Sequence, residues 1–321
     1  MKIDYTRQYN ESQVNYLSPL FLQLRIRYTT ICMWPLVIIA QVIVSSVMTI
    51  TTRKLSLSNQ RVFFVVGFFT YLMVALMGIV YSFVFGVDAN YLPSAVAWQY
   101  IVPASVGIVT AWLLLYKAIS IFGASNAVLI TMANYIGTVT LGYLVLGEAI
   151  SSTFVLGAML IVISIWIAFS VRADTTRATH VSTIKKVSLV AAMAAAFSFG
   201  MMFEKLAIDT MGVWEYARYG WLMQFVCASI LVAVYGRKEF SHVDRPVVNK
   251  AVVLGLLTSV AGGLYILALS LGTLSGTMLA TSAKITLTSV LAYVFLHERN
   301  ALGLRVLGLA ISIFGMWLIL R

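Results

Sequence analysis

Apolar residues in this chain come in long, nearly unbroken runs, and polar residues gather between them. Ten such runs cover about 33–52, 62–85, 97–117, 122–147, 151–171, 187–208, 213–235, 251–271, 274–296 and 302–320. At 1.5 Å of rise per residue, ~20 apolar residues cross a hydrocarbon core of ~30 Å. The pattern therefore predicts an all-α polytopic membrane protein with ten transmembrane helices. The connections are short, apart from 172–186 and 236–250, and both of those are basic. Residues 1–32 are polar and mixed and read as a tail. Their apolar piece, 17–26, is too short to span and suits the membrane interface, with Arg25 and Arg27 at the headgroups. A cleavable signal peptide is not expected, and the first apolar helix would direct insertion.

One stretch occurs twice. Ala268 to Glu298, shifted back by 150 positions, lies on Ala118 to Glu148 without a gap, and 11 of the 31 positions are identical. The Leu and Ala matches count for little in apolar sequence. The informative ones are Ser125/Ser275, Thr131/Thr281, Thr138/Thr288, Tyr143/Tyr293 and Glu148/Glu298. The first runs of each half also correspond, since Lys54-Leu55 matches Lys205-Leu206. Two copies of five helices follow: 33–171 and 187–321, joined by the basic loop 172–186. A unit with an odd number of spans cannot repeat in the same orientation, so the second copy is expected to be inverted in the membrane.

At the centre of the duplicated stretch the copies differ by a charge. The second carries Lys284 where the first has Asn134. An ammonium at mid-membrane costs roughly 2.5 to 3.5 kcal/mol on insertion scales, so such residues usually serve a function. Steps of three and four from Lys284 reach Thr277, Ala280, Thr281 and Thr288. These residues are small or hydroxylated, so the face suits a bundle interior or a water-filled path and not lipid. In the first copy, Asn134 shares its face with Thr131 and Thr138.

Composition sharpens this picture. Of 321 residues 61% are hydrophobic and only 10% charged, with mean hydropathy +0.94, which leaves no room for a separate soluble domain. The net charge of +11 does not imply nucleic-acid binding, because the basic residues flank apolar runs, where they anchor helices at headgroups. Cys32 and Cys227 are far apart and form neither a disulfide framework nor a metal spacing. His180, His242 and His297 lie in loops or at helix ends. No phosphate-binding loop, nucleophile elbow or acidic metal cluster appears, so cofactors, metals and enzymatic activity are not expected, and ATP-driven pumping is excluded for this chain alone.

Here a resemblance can be named. Two halves of five helices have a basic residue closing the first helix of each, Lys54 and Lys205. Their fourth helices end Leu146-Gly147-Glu148 and Leu296-His297-Glu298, ahead of a glycine-bearing fifth helix. Over roughly residues 33–320 this resembles the drug/metabolite transporter superfamily, most closely its EamA-like branch. The resemblance implies a basket of helices with a central cavity lined by the first, third and fourth helices of each half. It also implies export of an amino acid or similar metabolite. Plastid phosphate translocators of the superfamily look similar at Lys284, but there the lysine is followed by an arginine. Ile285 stands here instead, which weakens the case for phosphate. Small multidrug exporters of the superfamily use a glutamate in the first helix, where this chain has Gln41. Glu148, Glu204, Asp209, Glu215 and Glu298 are read as near helix ends, which argues against a carboxylate-based proton antiporter.

The remaining candidates have plainer readings. Glu148 and Glu298 precede helix starts and read as structural, with Ser151 or Asn300 as caps. Trp98, Gln99, Tyr100, Tyr116 and Tyr265 are read as opening or closing helices at the interface, while Trp112 and Tyr135 lie deeper and could line the cavity. Gly255, Ser259 and Gly263 step by four and form a face for close helix contact. Gly272, Gly276 and Pro103 are candidate points of loosening. Basic residues number 14 in the odd loops and seven in the termini and even loops. That count favours cytoplasmic odd loops, whereas the resemblance and the four basic residues of the tail favour cytoplasmic termini, the orientation preferred here.

The combined expectation is a secondary transporter in the cell (inner or plasma) membrane. Its midplane substrate site would hold Lys284, Asn134, Gln41, Thr131, Thr138, Thr281 and Thr288. The cargo is a small polar metabolite, more anionic or zwitterionic than cationic. The alternative is a non-transporting membrane scaffold or lipid-interacting subunit with a structural lysine. Expected partners are a small-molecule substrate and the lipid bilayer, with no nucleic acid and a homodimer left open.

Overall fold

A computed structural model describes residues 19–56, 63–122, 124–170, 183–242, 244–296 and 302–320. The described residues form eleven α-helices and no strand. They are α1 (Pro19–Ser56), α2 (Phe63–Val84), α3 (Ala95–Phe122), α4 (Ala124–Leu144), α5 (Ser152–Ser170), α6 (Thr183–Met211), α7 (Val213–Leu231), α8 (Arg245–Leu271), α9 (Leu274–Thr281), α10 (Lys284–Leu296) and α11 (Leu302–Leu320). A π-helical turn, Val232–Gly236, prolongs α7, and a 3-10 turn, Glu239–His242, follows it. Six helices contain segments long and apolar enough to cross a membrane: α1, α2, α3, α6, α7 and α8. Ser152–Ser164 and Val306–Ile319 are shorter apolar stretches. The first helix begins at Pro19, well inside the segment read from sequence as a tail.

The helices are apolar outside and partly polar inside. On α1, Leu36, Ile39, Ile43 and Val47 recur every three or four residues and are exposed, as a lipid-facing stripe requires. The opposite face buries Ile38, Gln41, Val42, Ser45 and Ser46. Lipid tails are as apolar as leucine, so helices in a membrane associate through close packing rather than through burial from water. Glycines supply the close approaches. A Cβ on Gly107 of α3 would lie 2.8 Å from both the Ala196 carbonyl oxygen and Gly200 Cα of α6. On α5, a Cβ at Gly157 would lie 2.6 Å from the Gly315 carbonyl oxygen of α11. The small-residue face of α8 packs on α2: a Cβ at Gly255 would meet Met73 Cβ at 2.6 Å, and one at Gly263 would meet the Tyr81 ring at 3.1 Å.

Helix pairing follows a simple order. α3 and α4 pack on α6, while α8 and α10 pack on α1. α3 also packs on α7, and α8 on α2. α2 meets α7, α5 meets α11, and α4 meets α9.

Residues 274–296, expected as one helix, are broken. α9 ends at Thr281 and α10 starts at Lys284, with Ser282 and Ala283 in a turn between them. At the break the backbone shifts to tighter i→i+3 bonding: Ala283 N–H donates to Ala280 O at 3.2 Å and Ile285 N–H to Ser282 O at 2.9 Å. The local sequence explains this. Thr281 Oγ1 donates to Met278 O at 3.1 Å and Ser282 Oγ to Leu279 O at 2.6 Å. Such side-chain bonds to the preceding turn compete with the helical ladder. Gly272 and Gly276 make room for the Trp34 ring of α1.

Candidate substrate site at the broken helix

Lys284 is the first residue of α10. Its side chain is half-buried and has no hydrogen-bond or ion-pair partner among the described residues. Its carbonyl accepts from Ser46 Oγ of α1 at 3.1 Å, which fixes α10 against the polar face of α1. Thr281, Ser282 and Thr286 are buried around the break. The ammonium thus stands at a helix N-terminus, and both favour a negative group. The break cuts the face on which Thr277, Ala280, Thr281, Lys284 and Thr288 would line up in a continuous helix. Thr277 is buried and donates to Ala268 O of α8 at 3.4 Å, and Thr281 bonds its own helix. Thr288 Oγ1 is buried without a partner among the described residues.

Two buried amides lie on other helices. Gln41, in α1, is 3% exposed; its Nε2 donates to Ser45 Oγ at 2.9 Å, and its Oε1 has no partner. Asn134, in α4, is 5% exposed, and its Oδ1 is also without a partner. Its backbone oxygen accepts from Thr138 Oγ1 at 2.8 Å and from Ser198 Oγ of α6 at 3.1 Å. No hydrogen bond joins Lys284 to Asn134 among the described residues. The expected residues therefore fall into two groups: Gln41, Thr281, Lys284 and Thr288 where α1 meets α9 and α10, and Asn134 with Thr138 where α4 meets α6. The side chain of Thr131 lies outside the described residues, as do Glu298, Asn300, His180, His297 and the side chains of Cys32, Lys54 and Tyr116.

Glu148 is structural, although it does not serve the helix that follows it. Gly147 adopts φ +66°, a left-handed conformation that suits glycine, and turns Glu148 back across the end of α4. Its carboxylate accepts from Leu274 N–H at 2.5 Å and Ser275 N–H at 2.9 Å. It therefore caps α9, 126 residues away. The cap of α5 is Ser151, whose Oγ accepts from Phe154 N–H at 3.1 Å. Gly142 leaves the space, since a Cβ there would lie 2.6 Å from Glu148 Oε2. Another remote carboxylate, Glu239, accepts from Phe64 N–H at 2.8 Å at the start of α2. Its burial pushes the carboxyl above the usual range, although the backbone N–H groups pull the other way.

Two sequence readings are corrected inside the bundle. Glu204 was placed near a helix end. The structure runs α6 on to Met211, where Gly212 at φ +104° stops it, so Glu204 lies two turns inside the apolar segment Ser188–Met211. It is 3% exposed, and its Oε2 has no partner. Tyr265, read as an interfacial residue, lies inside α8 with its hydroxyl 3.2 Å from Met201 Sδ and 3.0 Å from Met278 Sδ. Tyr135 is buried in the main apolar cluster, and Trp112 packs against that cluster.

No curated protein matches the sequence. A solved structure described as "Crystal structure of protein" superposes with a TM-score of 0.68 at 15% identity, covering 90% of this chain and 97% of that one. At that identity the likeness is one of fold alone. Residues 32–170 match the EamA-like transporter family, so the similarity to membrane transporters of the drug/metabolite superfamily, which the motifs had implied for the whole chain, is found over its first half.

Proposed function

We propose that this protein is a secondary active transporter that exports a small polar metabolite, such as an amino acid or another anionic or zwitterionic compound. In this reading α9 and α10 form one interrupted span, which makes ten spans in two inverted halves. The helix pairing supports it. Exchanging the halves turns α3 and α4 on α6 into α8 and α10 on α1, and α3 on α7 into α8 on α2, while α2–α7, α5–α11 and α4–α9 map onto themselves. Transporters of this general design bind cargo at the repeat interface, near the midplane, beside interrupted helices.

The observation that carries the substrate assignment is Lys284: a half-buried lysine with no partner among the described residues, at the N-terminus of a half-helix inside an apolar span. It would hold the anionic group. Gln41 Oε1 and Asn134 Oδ1 are acceptors without donors and suit an ammonium or hydroxyl on the same cargo. Ile285 beside the lysine offers no second charge, so a carboxylate suits this site better than a phosphate dianion. The halves would rock about this point and expose it to each side in turn.

The test is thermal stabilisation of the purified protein by a library of amino acids, organic acids, phosphate esters and organic cations, run on wild type and Lys284→Ala. Anionic or zwitterionic compounds should stabilise wild type and not the folded variant. An unchanged response in the variant would make the lysine structural and overturn the site.

A further inference from the structure

We propose that Glu204 is a proton-binding site separate from the Lys284 site, and that transport is coupled to its protonation. The proposal rests on the transporter reading above. An ionised carboxylate buried in an apolar setting needs a cation or a full set of donors, because its desolvation is otherwise uncompensated. Glu204 has neither. The Tyr216 hydroxyl of α7 comes within reach of Glu204 and accepts from Gln224 Nε2 at 3.4 Å. Oε2 is left bare. The nearest basic residue in sequence, Lys205, is engaged elsewhere, at 2.9 Å from both Asp209 Oδ1 and the Leu269 carbonyl oxygen.

Among the described residues, few of the titratable groups on the packed elements come near Glu204, and Tyr216 is the one from α7. α4 brings Tyr135 and α8 brings Tyr265, which is within electrostatic reach of Glu204. α3 brings Tyr100, which packs on Phe203. α9 brings none, and beyond it lies Glu148, held by the backbone of α9. None of these is a cation; Arg218 of α7 is held by the carbonyls of Asp88 and Ala89, and Arg245 and Lys250 lie in the first two turns of α8, about four turns or more from Tyr265. A metal ion would need several more oxygen ligands than one carboxylate and a tyrosine supply, and the Tyr265 hydroxyl points at two methionine sulfurs. A proton needs only the bare oxygen.

The cycle is simple. Glu204 takes a proton from water on one side and becomes a neutral acid, and in the other state it returns that proton to water on the opposite side. No bond to cargo forms or breaks. α6 packs on α4, which carries Asn134, and Ser198 of α6 bonds the Asn134 carbonyl. A change at Glu204 therefore reaches one side of the candidate substrate site through a single helix.

Two measurements test this. The first is infrared difference spectroscopy of the protein in lipid nanodiscs, titrated from mildly acid to mildly alkaline pH. The carbonyl stretch of a protonated buried carboxyl should rise and fall with pH in wild type, and be missing in Glu204→Gln but present in Glu239→Gln. The second uses liposomes that carry a pH gradient and a labelled amino-acid mixture. Wild-type flux should follow the gradient, while Glu204→Gln should keep exchange of label at equal pH and lose the response to the gradient. If amino acids do not move at all, the substrate class proposed above fails, and the infrared titration alone decides for or against Glu204. A Glu204 band that does not titrate, or a Glu204→Gln variant that still follows the gradient, would overturn the proposal.

Discussion

Four buried polar atoms carry the chemistry proposed for this protein: Gln41 Oε1, Asn134 Oδ1, Thr288 Oγ1 and Glu204 Oε2, each without a hydrogen-bond partner among the described residues. A buried acceptor without a donor costs about 1–3 kcal/mol, whereas replacing it by an apolar group of similar shape is nearly neutral. Ligand binding and structural roles therefore separate at single residues. Asn134→Leu is expected to leave the unfolding temperature within a few degrees of wild type while cutting ligand-induced stabilisation at least tenfold in apparent affinity. A variant that instead fails to fold would show Asn134 to be interhelical glue. Glu148 belongs to the other category. Glu148→Ala should lower stability by about 2 kcal/mol, through two lost charge-assisted bonds at the start of α9. Ser151→Ala should cost only about 1 kcal/mol, through one lost cap on α5. Equal effects in denaturation of the two variants would contradict the crossed cap.

At the scale of the element, close helix contacts and the break in 274–296 carry the structure. Gly107→Leu or Gly200→Leu should force α3 and α6 apart at a cost of about 1–3 kcal/mol or more. Gly67→Leu in α2, where nothing lies within 4 Å of the added Cβ, should be tolerated. Thermal unfolding in detergent compares them directly. The sequence shows the runs, the duplication and the small-residue face of α8 because each leaves a periodic trace. The break in 274–296 leaves almost none, since apolar residues continue through it, and only the adjacent hydroxyls of Thr281 and Ser282 hint that the ladder is contested. Glu204 was misplaced for a related reason. The end of α6 is set by the backbone of Gly212, two turns beyond the glutamate, and Asp209 and Thr210 give the last turns the look of an interface. Glu148 reads from sequence as structural beside the next helix, with Ser151 as that helix's cap, because a local rule sees only the next helix and not α9, whose N–H groups the carboxylate accepts from.

For the whole molecule, the design proposed above is two halves around a polar centre, and the matched helix pairings support it. Lys284 and Asn134 hold equivalent places in the two halves, so the duplication places a charge on only one side of that centre. That asymmetry is what a cargo with one anionic end requires. Reversing it should retain the fold and shift the preference: Lys284→Asn with Asn134→Lys is expected to bind the same compounds at least partly, whereas Lys284→Asn alone should bind none. The library assay reads both.

The most direct test of the account is saturable exchange by the purified protein in liposomes, using the compound that best stabilises it. Wild type should exchange label across the bilayer with saturation, and Lys284→Ala, folded and inserted, should not. Wild-type protein that binds the compound yet gives no saturable exchange, or Lys284→Ala that exchanges as wild type does, would contradict a transporter built around this lysine.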